Sequence, residues 1–212
     1  MPRRQIDNEI AIKESKENIM NSALILFSLY GYKTVNIDSI AKNAGCSRGL
    51  IYHYFVDKEN LYKEMMIVVA NKIYELTEQI DYSLPADVAL SKLLDLLLEK
   101  LSNSSTESLH TNYACMFYHI LNLHLQTDVV PKPKTKSEDR PLNRKRLYQI
   151  ISYLIEKGQK EKVFYDGEIK AYTISILAML KGLSFTKIHV KENFTAPTVK
   201  MVMNIVRKGG EA

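Results

Sequence analysis

Residues 37–55, IDSIAKNAGCSRGLIYHYF, have the pattern of two short helices joined by a tight turn. Gly45 stands where the turn needs a residue that tolerates positive φ, and Ala41 is small where two crossing helices would touch. Side chains that would face a shared core are mostly apolar, whereas the opposite side of the second helix is small, polar or basic. The inward set is Ile40, Ala44, Cys46, Ile51 and Tyr54, and the outward set is Arg48, Gly49, Tyr52 and His53.

This pattern predicts a helix-turn-helix, a motif that places its second helix in the major groove of DNA. Asn36 and Ser47 precede the two helices, and Asp57 precedes a third, so each helix has a side chain able to cap its first turn. A helical pair with a glycine turn and no role in DNA binding is the alternative. The agreement of core spacing, turn glycine and caps favours the helix-turn-helix.

The same stretch resembles the DNA-binding domain of the TetR family of transcriptional regulators. Three positions depart from the family's usual pattern: Asn36 replaces a frequent Thr, Cys46 replaces a small aliphatic residue, and His53-Tyr54 is often in the reverse order. The matching residues occur in order, without insertion, within the first 65 residues: Phe27, Gly31, Tyr32, Asn36, Ile40, Ala41, Ala44, Gly45, Ser47, Arg48, Gly49, Tyr52, Phe55, Lys58, Glu59, Asn60 and Leu61.

The motif also predicts which residues meet DNA. Arg48 would bond guanine in the major groove, while Tyr52, His53 and the backbone of Gly49 would meet the sugar-phosphate. Lys58 would add positive charge at the start of the next helix. The full predicted set of DNA-binding residues is Asn36, Ile37, Ser47, Arg48, Gly49, Leu50, Tyr52, His53 and Lys58.

Composition indicates an ordinary globular protein with room for a second, larger domain. The chain has 212 residues, 46% of them hydrophobic and 25% charged, and a net charge of +5 that favours an anionic partner. We therefore predict a DNA-binding domain over residues 1–60 and a ligand-binding and dimerisation domain over residues 61–212.

Sequence features also narrow the chemistry and the location. The two cysteines fall in different predicted domains, which favours free thiols in a reducing cytoplasm. The opening residues lack the apolar run of a signal peptide, and the longest apolar stretch, near residues 174–180, is too short to span a bilayer. We find no catalytic constellation and no phosphate-binding glycine loop, so we predict no enzyme activity, no cofactor and no metal.

The remainder of the chain has helical periodicity and no strand pattern, which predicts an all-α protein of about nine helices. Residues 2–12 are expected to be a frayed tail, with a minor-groove arm through Arg3 and Arg4 as the alternative. Residues 129–143 are expected to be an exposed loop. The predicted helices cover residues 15–30, the two helices within 37–55, 57–80, 86–101, 109–126, 142–160 with an end near Gly158, 166–189 and 195–207.

One predicted helix, residues 109–126, is rich in aromatic and methionine side chains. These could line a pocket for a largely apolar ligand or could simply pack a core. The TetR resemblance implies an inducer cavity among the middle helices, with residues 129–143 as its entrance. Cys115 and His119 share a face, but a metal site or redox sensor there is the weaker interpretation. The predicted lining is Tyr74, Tyr113, Met116, Phe117, Ile120, Leu147 and Ile151.

The last two predicted helices carry small and apolar residues at helical spacing, which permits close helix approach. They could pack on their own domain or form a four-helix interface between two subunits, and the resemblance implies the dimer. The predicted interface residues are Ala171, Ser175, Ala178, Gly182, Val199, Val202 and Val206.

Together these features predict a homodimeric transcriptional repressor, released from a palindromic double-stranded DNA operator by a small, largely apolar effector. An activator is the open alternative to a repressor. The rivals from other classes are a helical protein-interaction module that does not read DNA, and a small-molecule carrier or enzyme that uses the aromatic pocket.

Overall fold

The computed structural model describes residues 3–125 and 146–208, and these residues form nine α-helices, as the all-α prediction requires. The extended structure in the described ranges is an isolated antiparallel bridge between Phe164 and Arg207. The helices are α1 (Arg3–Tyr30), α2 (Ile37–Ala44), α3 (Arg48–Tyr54), α4 (Lys58–Thr77), α5 (Ala86–Ser102), α6 (Tyr113–Leu125), α7 (Arg146–Lys160), α8 (Ile169–Val190) and α9 (Val199–Met203).

The start of α1 corrects one prediction. We predicted a frayed tail at residues 2–12, and this prediction was wrong, because the helix begins at Arg3. Between Pro2 and Gly31 no proline or glycine interrupts the chain, and Lys13 pairs with Glu17 one turn later at 4.0 Å. The alternative of a minor-groove arm, and the predicted entrance loop at residues 129–143, lie outside the side chains that the structure describes.

The end of the chain corrects a second prediction. The last helix was expected over residues 195–207 but covers only Val199–Met203, with Thr198 as its N-cap. Beyond the helix the chain turns and pairs with the segment after α7, where the Tyr165 N–H donates to the Val206 carbonyl at 2.8 Å. Residues 206–208 bond to the segment after α7 and so do not continue α9.

α7 ends at Lys160, the last residue of the predicted range 142–160, and Gly158 lies within its last turn. The missing side chain at Gly158 makes room for the ring of Phe164, which is fully buried. A Cβ built at Gly158 would lie 2.1 Å from a carbon of that ring. The glycine therefore serves close packing rather than helix termination.

The packing of the helices joins the N-terminal helices to the rest of the molecule. α1 packs on α2, α4 and α6, and α4 also packs on α6, so α1 and α4 connect α2 and α3 to the larger domain. In that domain α8 packs on α6 and α7, and α5 packs on α7 and α9. One hydrophobic core runs through all of these contacts, from Ile19 to Val206. Among the described residues, none of the helices combines the length and apolar character needed to cross a bilayer.

Candidate nucleic-acid interface

α2 and α3, with the turn between them, form what we call the α2–α3 corner. Asn36 is the N-cap of α2, where its Oδ1 accepts the Ser39 N–H at 2.9 Å. Ser47 caps α3 by accepting the Leu50 N–H on its Oγ at 3.1 Å, and Asp57 caps α4 through the Asn60 N–H at 2.7 Å. Each predicted cap therefore satisfies a backbone donor that the helix itself leaves free.

The turn of the corner depends on one glycine and one contact from α1. Gly45 has φ 64° and ψ 31°, the left-handed conformation predicted for it. The Asn18 side chain donates from Nδ2 to the Ala44 carbonyl at 2.9 Å, and so satisfies an acceptor at the end of α2. Ile40 and Ile51 are fully buried beneath the turn, while Cys46 and Tyr54 are half-buried. The corner is thus held from inside by apolar packing.

The opposite side of α3 is open. Arg48, Gly49, Tyr52 and His53 are all exposed, as predicted, with Tyr52 48% exposed. Leu50 is half-buried at the edge of this surface. Guanidinium, phenol and imidazole groups on one short helix give an exposed face able to bond base edges and phosphates.

Ile37 was predicted as a DNA-binding residue, and the structure corrects the role of its side chain. That side chain is buried in the core, so Ile37 has only its backbone to offer at the start of α2. A helix begins with unpaired N–H groups, and the Ile37 N–H is the first of them in α2.

Lys58 was predicted to add positive charge at the start of α4. In the structure its Nζ donates to the Tyr32 carbonyl at 3.0 Å and to the Val35 carbonyl at 2.8 Å. The ammonium also lies 4.5 Å from the centre of the Tyr32 ring. Lys58 therefore ties the connection between α1 and α2 to the start of α4, and we assign it this structural role.

A residue that the sequence interpretation missed, Asp38, contacts the exposed face of α3. Its Oδ1 lies 2.9 Å from Nε of Arg48, and both side chains remain more than half exposed. Asp38 is ten positions before Arg48, and only the crossing of α2 over α3 brings the two together. In the sequence, a carboxylate in the first turn of a helix is explained by its favourable interaction with the helix dipole. The sequence therefore did not indicate that Asp38 would contact Arg48.

The predicted ligand-binding residues fall into two groups. Met116, Phe117, Ile120, Leu147 and Ile151 are buried, and Tyr113 is half-buried with its ring centre 5.9 Å from that of Phe117. Tyr74 is 39% exposed and is not among the buried residues of α4. A groove of about 420 Å³ lies elsewhere, beside α9, lined by Ser91, Val199, Lys200, Met203, Asn204, Arg207 and Lys208.

The predicted dimer residues also separate. Ala171, Ser175, Ala178 and Gly182 are exposed along one side of α8, and a Cβ at Gly182 would have nothing within 4 Å. Val199 is half-buried. The prediction for the two remaining residues was wrong, because Val202 and Val206 are fully buried in the protomer's own core by the short, turned C-terminal segment.

Polar side chains are buried where α1 packs on the start of α6, a contact we call the α1–α6 seam. Asn112 donates from Nδ2 to Oδ1 of Asn21 at 3.0 Å, and Asn21 donates in turn to the Thr106 carbonyl at 2.9 Å. Oδ1 of Asn112 and Nε2 of His119 are buried without a hydrogen-bond partner. An unpaired buried acceptor destabilises the folded state, so the seam is a costly way to join two helices.

Burial changes the acid–base properties of the seam. Burial lowers the pKa of His119 to about 4, and a hydrogen bond with the Leu24 backbone opposes the shift. Burial raises the pKa of the Cys115 thiol to about 11, opposed by hydrogen bonds with Ser28 and Asn112. His119 is therefore neutral and Cys115 is a thiol at pH 7. Among the side chains described, no three of His, Cys, Asp or Glu are grouped so that they could hold a metal ion.

A capped helix-turn-helix with an exposed second helix, joined to a larger helical domain, defines the class of helix-turn-helix regulators. Comparison with known proteins agrees: residues 19–65 match the family model for bacterial regulatory proteins of the tetR family. Over 95 residues the chain is 36% identical to the HTH-type transcriptional regulator AcrR of Shigella flexneri, a match that spans 45% of this chain and 44% of AcrR.

Solved structures extend the likeness to the whole fold. A gamma-butyrolactone receptor described as ArpA-like has a TM-score of 0.60 with 16% identity, and covers 92% of this chain and 97% of its own. The ketosteroid transcriptional regulator KstR2 of Mycobacterium tuberculosis has a TM-score of 0.59 with 14% identity, and covers 90% and 94%. At these identities the likeness is one of fold. Residues 19–65 are thus similar in sequence to bacterial regulatory proteins of the tetR family, and the chain as a whole shares its fold with TetR-like regulators.

Proposed function

We propose that this protein is a DNA-binding transcriptional repressor that acts as a homodimer in the cytoplasm and is released by a small, largely apolar effector. The single observation that carries the DNA-binding part is the exposed face of α3. Arg48, Tyr52 and His53 project from a helix whose other side is buried and whose ends are both fixed. A surface helix without a ligand would not need such a rigid support.

In this proposal α3 lies in the major groove and its residues divide the contacts. Arg48 bonds a guanine through its guanidinium, and Tyr52, His53 and the Gly49 backbone contact sugar and phosphate. Leu50 contributes apolar contact at the edge of the helix. Asn36, Ser47 and the Ile37 backbone meet phosphates at the starts of α2 and α3, where helix N-termini attract anions. Lys58 supports this surface from behind.

A homodimer would fit the geometry of duplex DNA. Two copies related by a two-fold axis place their recognition helices in successive major grooves, about 34 Å apart, and read an inverted repeat. The exposed side of α8 supports such an interface, because Ala171, Ser175, Ala178 and Gly182 leave room for a second helix to approach closely. In this proposal Val199, which is half-buried on α9, also belongs to the interface.

The effector would enter the domain among the buried residues of α6 and α7. Met116, Phe117, Ile120, Leu147 and Ile151, all of them buried, would form the apolar lining, and Met116 would let it adapt to a ligand. The solved structures of similar fold include proteins named as a gamma-butyrolactone receptor and a ketosteroid regulator, which supports a largely apolar ligand class.

Release from DNA would be a population shift. α6 contacts both α1 and α4, the two helices that connect α2 and α3 to the larger domain. A ligand that moves α6 would therefore change the position of α3 relative to the larger domain. A coupling of about 1–3 kcal/mol corresponds to about 5–150-fold in operator affinity.

The DNA-binding part is tested by titrating the full-length protein into a labelled random duplex at low salt and again at higher salt. The proposal predicts saturable binding with two protomers per site and an affinity that falls steeply with salt. Absence of binding at low salt would contradict it, and would favour the helical protein-interaction module.

The effector part is tested with Phe117→Ala on the protein–operator complex. Hydrophobic metabolites of increasing size are added, and release is measured for the wild type and the variant. The variant is expected to bind DNA normally without ligand and to respond less to any effective compound. An unchanged response would place the ligand elsewhere, and turnover of the compound would support the enzyme alternative.

A further inference from the structure

We propose that Asp38 determines the sequence specificity of this protein by holding the Arg48 guanidinium in the orientation that reads a base, an inference that rests on the proposed DNA-binding function. Asp38 is the second residue of α2 and Arg48 is the first residue of α3. Their contact, Oδ1 to Nε at 2.9 Å, joins the supporting helix to the reading helix at its exposed end.

The atom that Arg48 uses in this contact matters. A guanidinium has five N–H donors, one on Nε and four on the two terminal nitrogens. Nε is the guanidinium nitrogen that lies nearest the Asp38 carboxylate, whereas a bidentate bond to the O6 and N7 acceptors of guanine would use the two terminal nitrogens. A contact that used both terminal nitrogens would instead block base reading.

The contact also reduces the cost of ordering a long side chain. Immobilising a flexible side chain at an interface opposes binding, and a group already held in its bound orientation loses less freedom. In the free protein the pair is more than half exposed, so it contributes little to folding stability. In a DNA complex, water is excluded from the groove and the same pair becomes a stronger electrostatic contact.

Two effects of Asp38 on DNA binding therefore have opposite signs. Its carboxylate repels phosphates of any sequence, which weakens non-specific binding. Its hold on Arg48 favours the one base pair that the guanidinium can reach in that orientation. Removing the charge should raise non-specific affinity and lower discrimination, a combination that loss of fold stability would not produce.

The test compares Asp38→Asn with a matched control, Glu59→Gln. Glu59 is also the second residue of its helix, α4, and its carboxylate pairs with Lys63 one turn later at 2.7 Å rather than with α3. Both variants lose one negative charge from the first turn of a helix in the same module. The base pair that Arg48 reads is first located as the position where Arg48→Ala loses preference. Affinities are then measured for the preferred site of the wild type and for the three sites that carry another base pair at that position.

We expect Asp38→Asn to lower discrimination at that base pair by about three- to tenfold, while binding to random duplex tightens. Glu59→Gln should leave discrimination unchanged. In an Arg48→Ala background, Asp38→Asn should have no further effect on discrimination, since Asp38 acts only through the guanidinium.

Unchanged discrimination in Asp38→Asn, or equal losses in Asp38→Asn and Glu59→Gln, would overturn the inference while leaving the proposed function intact. Tighter binding to the preferred site with discrimination preserved would also overturn it, because Asp38 would then only compete with DNA for Arg48. A wild-type protein with no preferred site would remove the proposed function and this inference together.

Discussion

The α2–α3 corner and the α1–α6 seam are both contacts between two helices, but the corner buries apolar side chains and the seam buries polar ones. The corner buries Ile40 and Ile51, and its exposed caps satisfy the free backbone donors. The seam buries amide, imidazole and thiol groups, and leaves Oδ1 of Asn112 and Nε2 of His119 without a hydrogen-bond partner. Apolar packing with satisfied backbone groups stabilises one arrangement, whereas buried polar groups without partners lower the stability of a contact. We therefore expect the corner to hold the exposed face of α3 in place, and the seam to be the easier of the two contacts to rearrange.

The largest expected effect comes from opening a cavity in the corner. Ile51→Ala removes a fully buried side chain and should lower the free energy of unfolding by about 2–5 kcal/mol, with loss of DNA binding. Thermal or urea unfolding measures the change. Val56→Ala is the control, because Val56 is 82% exposed just beyond α3 and should change stability by no more than about 0.5 kcal/mol. Similar effects for the two variants would contradict a corner held by its core.

Lowering the pH should destabilise the protein through His119 in the α1–α6 seam. The folded-state pKa of His119 is about 4, below the ordinary value of 6.5, so the unfolded chain binds a proton that the folded protein excludes. The free energy of unfolding should therefore fall as the pH drops below about 6.5, and the loss should level off near pH 4 at about 3 kcal/mol.

His119→Phe should remove this part of the pH dependence, measured as urea unfolding between pH 4 and pH 7.5. His110→Asn is the control, because it removes an exposed histidine that pairs with Glu17 at 3.0 Å. If His119→Phe retained the full loss at low pH, a different group would be responsible.

A double-mutant cycle measures how far the seam depends on its amides. Asn21→Leu or Asn112→Leu alone leaves a buried polar partner unpaired, and each should cost about 1–3 kcal/mol. The double variant should be more stable than the sum of the single effects predicts, because both polar groups are removed together. The same variants should change the response to an effector more than they change the affinity for DNA in the absence of an effector. Strict additivity would show that Asn21 and Asn112 do not act as a pair.

The contrast between corner and seam also explains what the sequence could predict. Each cap in the corner depends on residues three positions apart, as Asn36 and Ser39 show, and Gly45 marks its own turn. The seam pairs Asn21 with Asn112, which are 91 residues apart, and a polar residue on a helix normally indicates a solvent-facing side.

The errors have the same origin. Val202 and Val206 were predicted at a dimer interface because their spacing is apolar, but the turn after α9 buries them in the protomer. The contacts of Lys58 with two carbonyls of the α1–α2 connection were also not predicted, because they join residues 23 and 26 positions apart. In each case a contact distant in sequence decided the outcome, and periodicity carries no information about such contacts.

The smallest effect in this series concerns the turn of the corner. Gly45→Ala should destabilise the protein by about 1–2 kcal/mol, because a Cβ is unfavourable in the left-handed conformation. The added methyl would meet nothing within 4 Å, so the cost is that of the backbone alone. Gly49→Ala is the control: its nearest neighbour would be Ser47 Oγ at 3.7 Å, an ordinary contact. Circular-dichroism melting separates the two, and an equal melting temperature for both would contradict the role of Gly45.

The central claim, that α3 reads DNA through Arg48, is tested most directly by selecting bound sites from a random duplex pool with the full-length protein and with Arg48→Ala. The account predicts that the wild type enriches an inverted repeat with half-sites one helical turn apart, about 34 Å between centres. Arg48→Ala should enrich the same repeat with preference lost at one base pair in each half-site, at a cost of about 1–3 kcal/mol. Enrichment of an identical sequence by both proteins, or of no sequence by the wild type, would contradict the account.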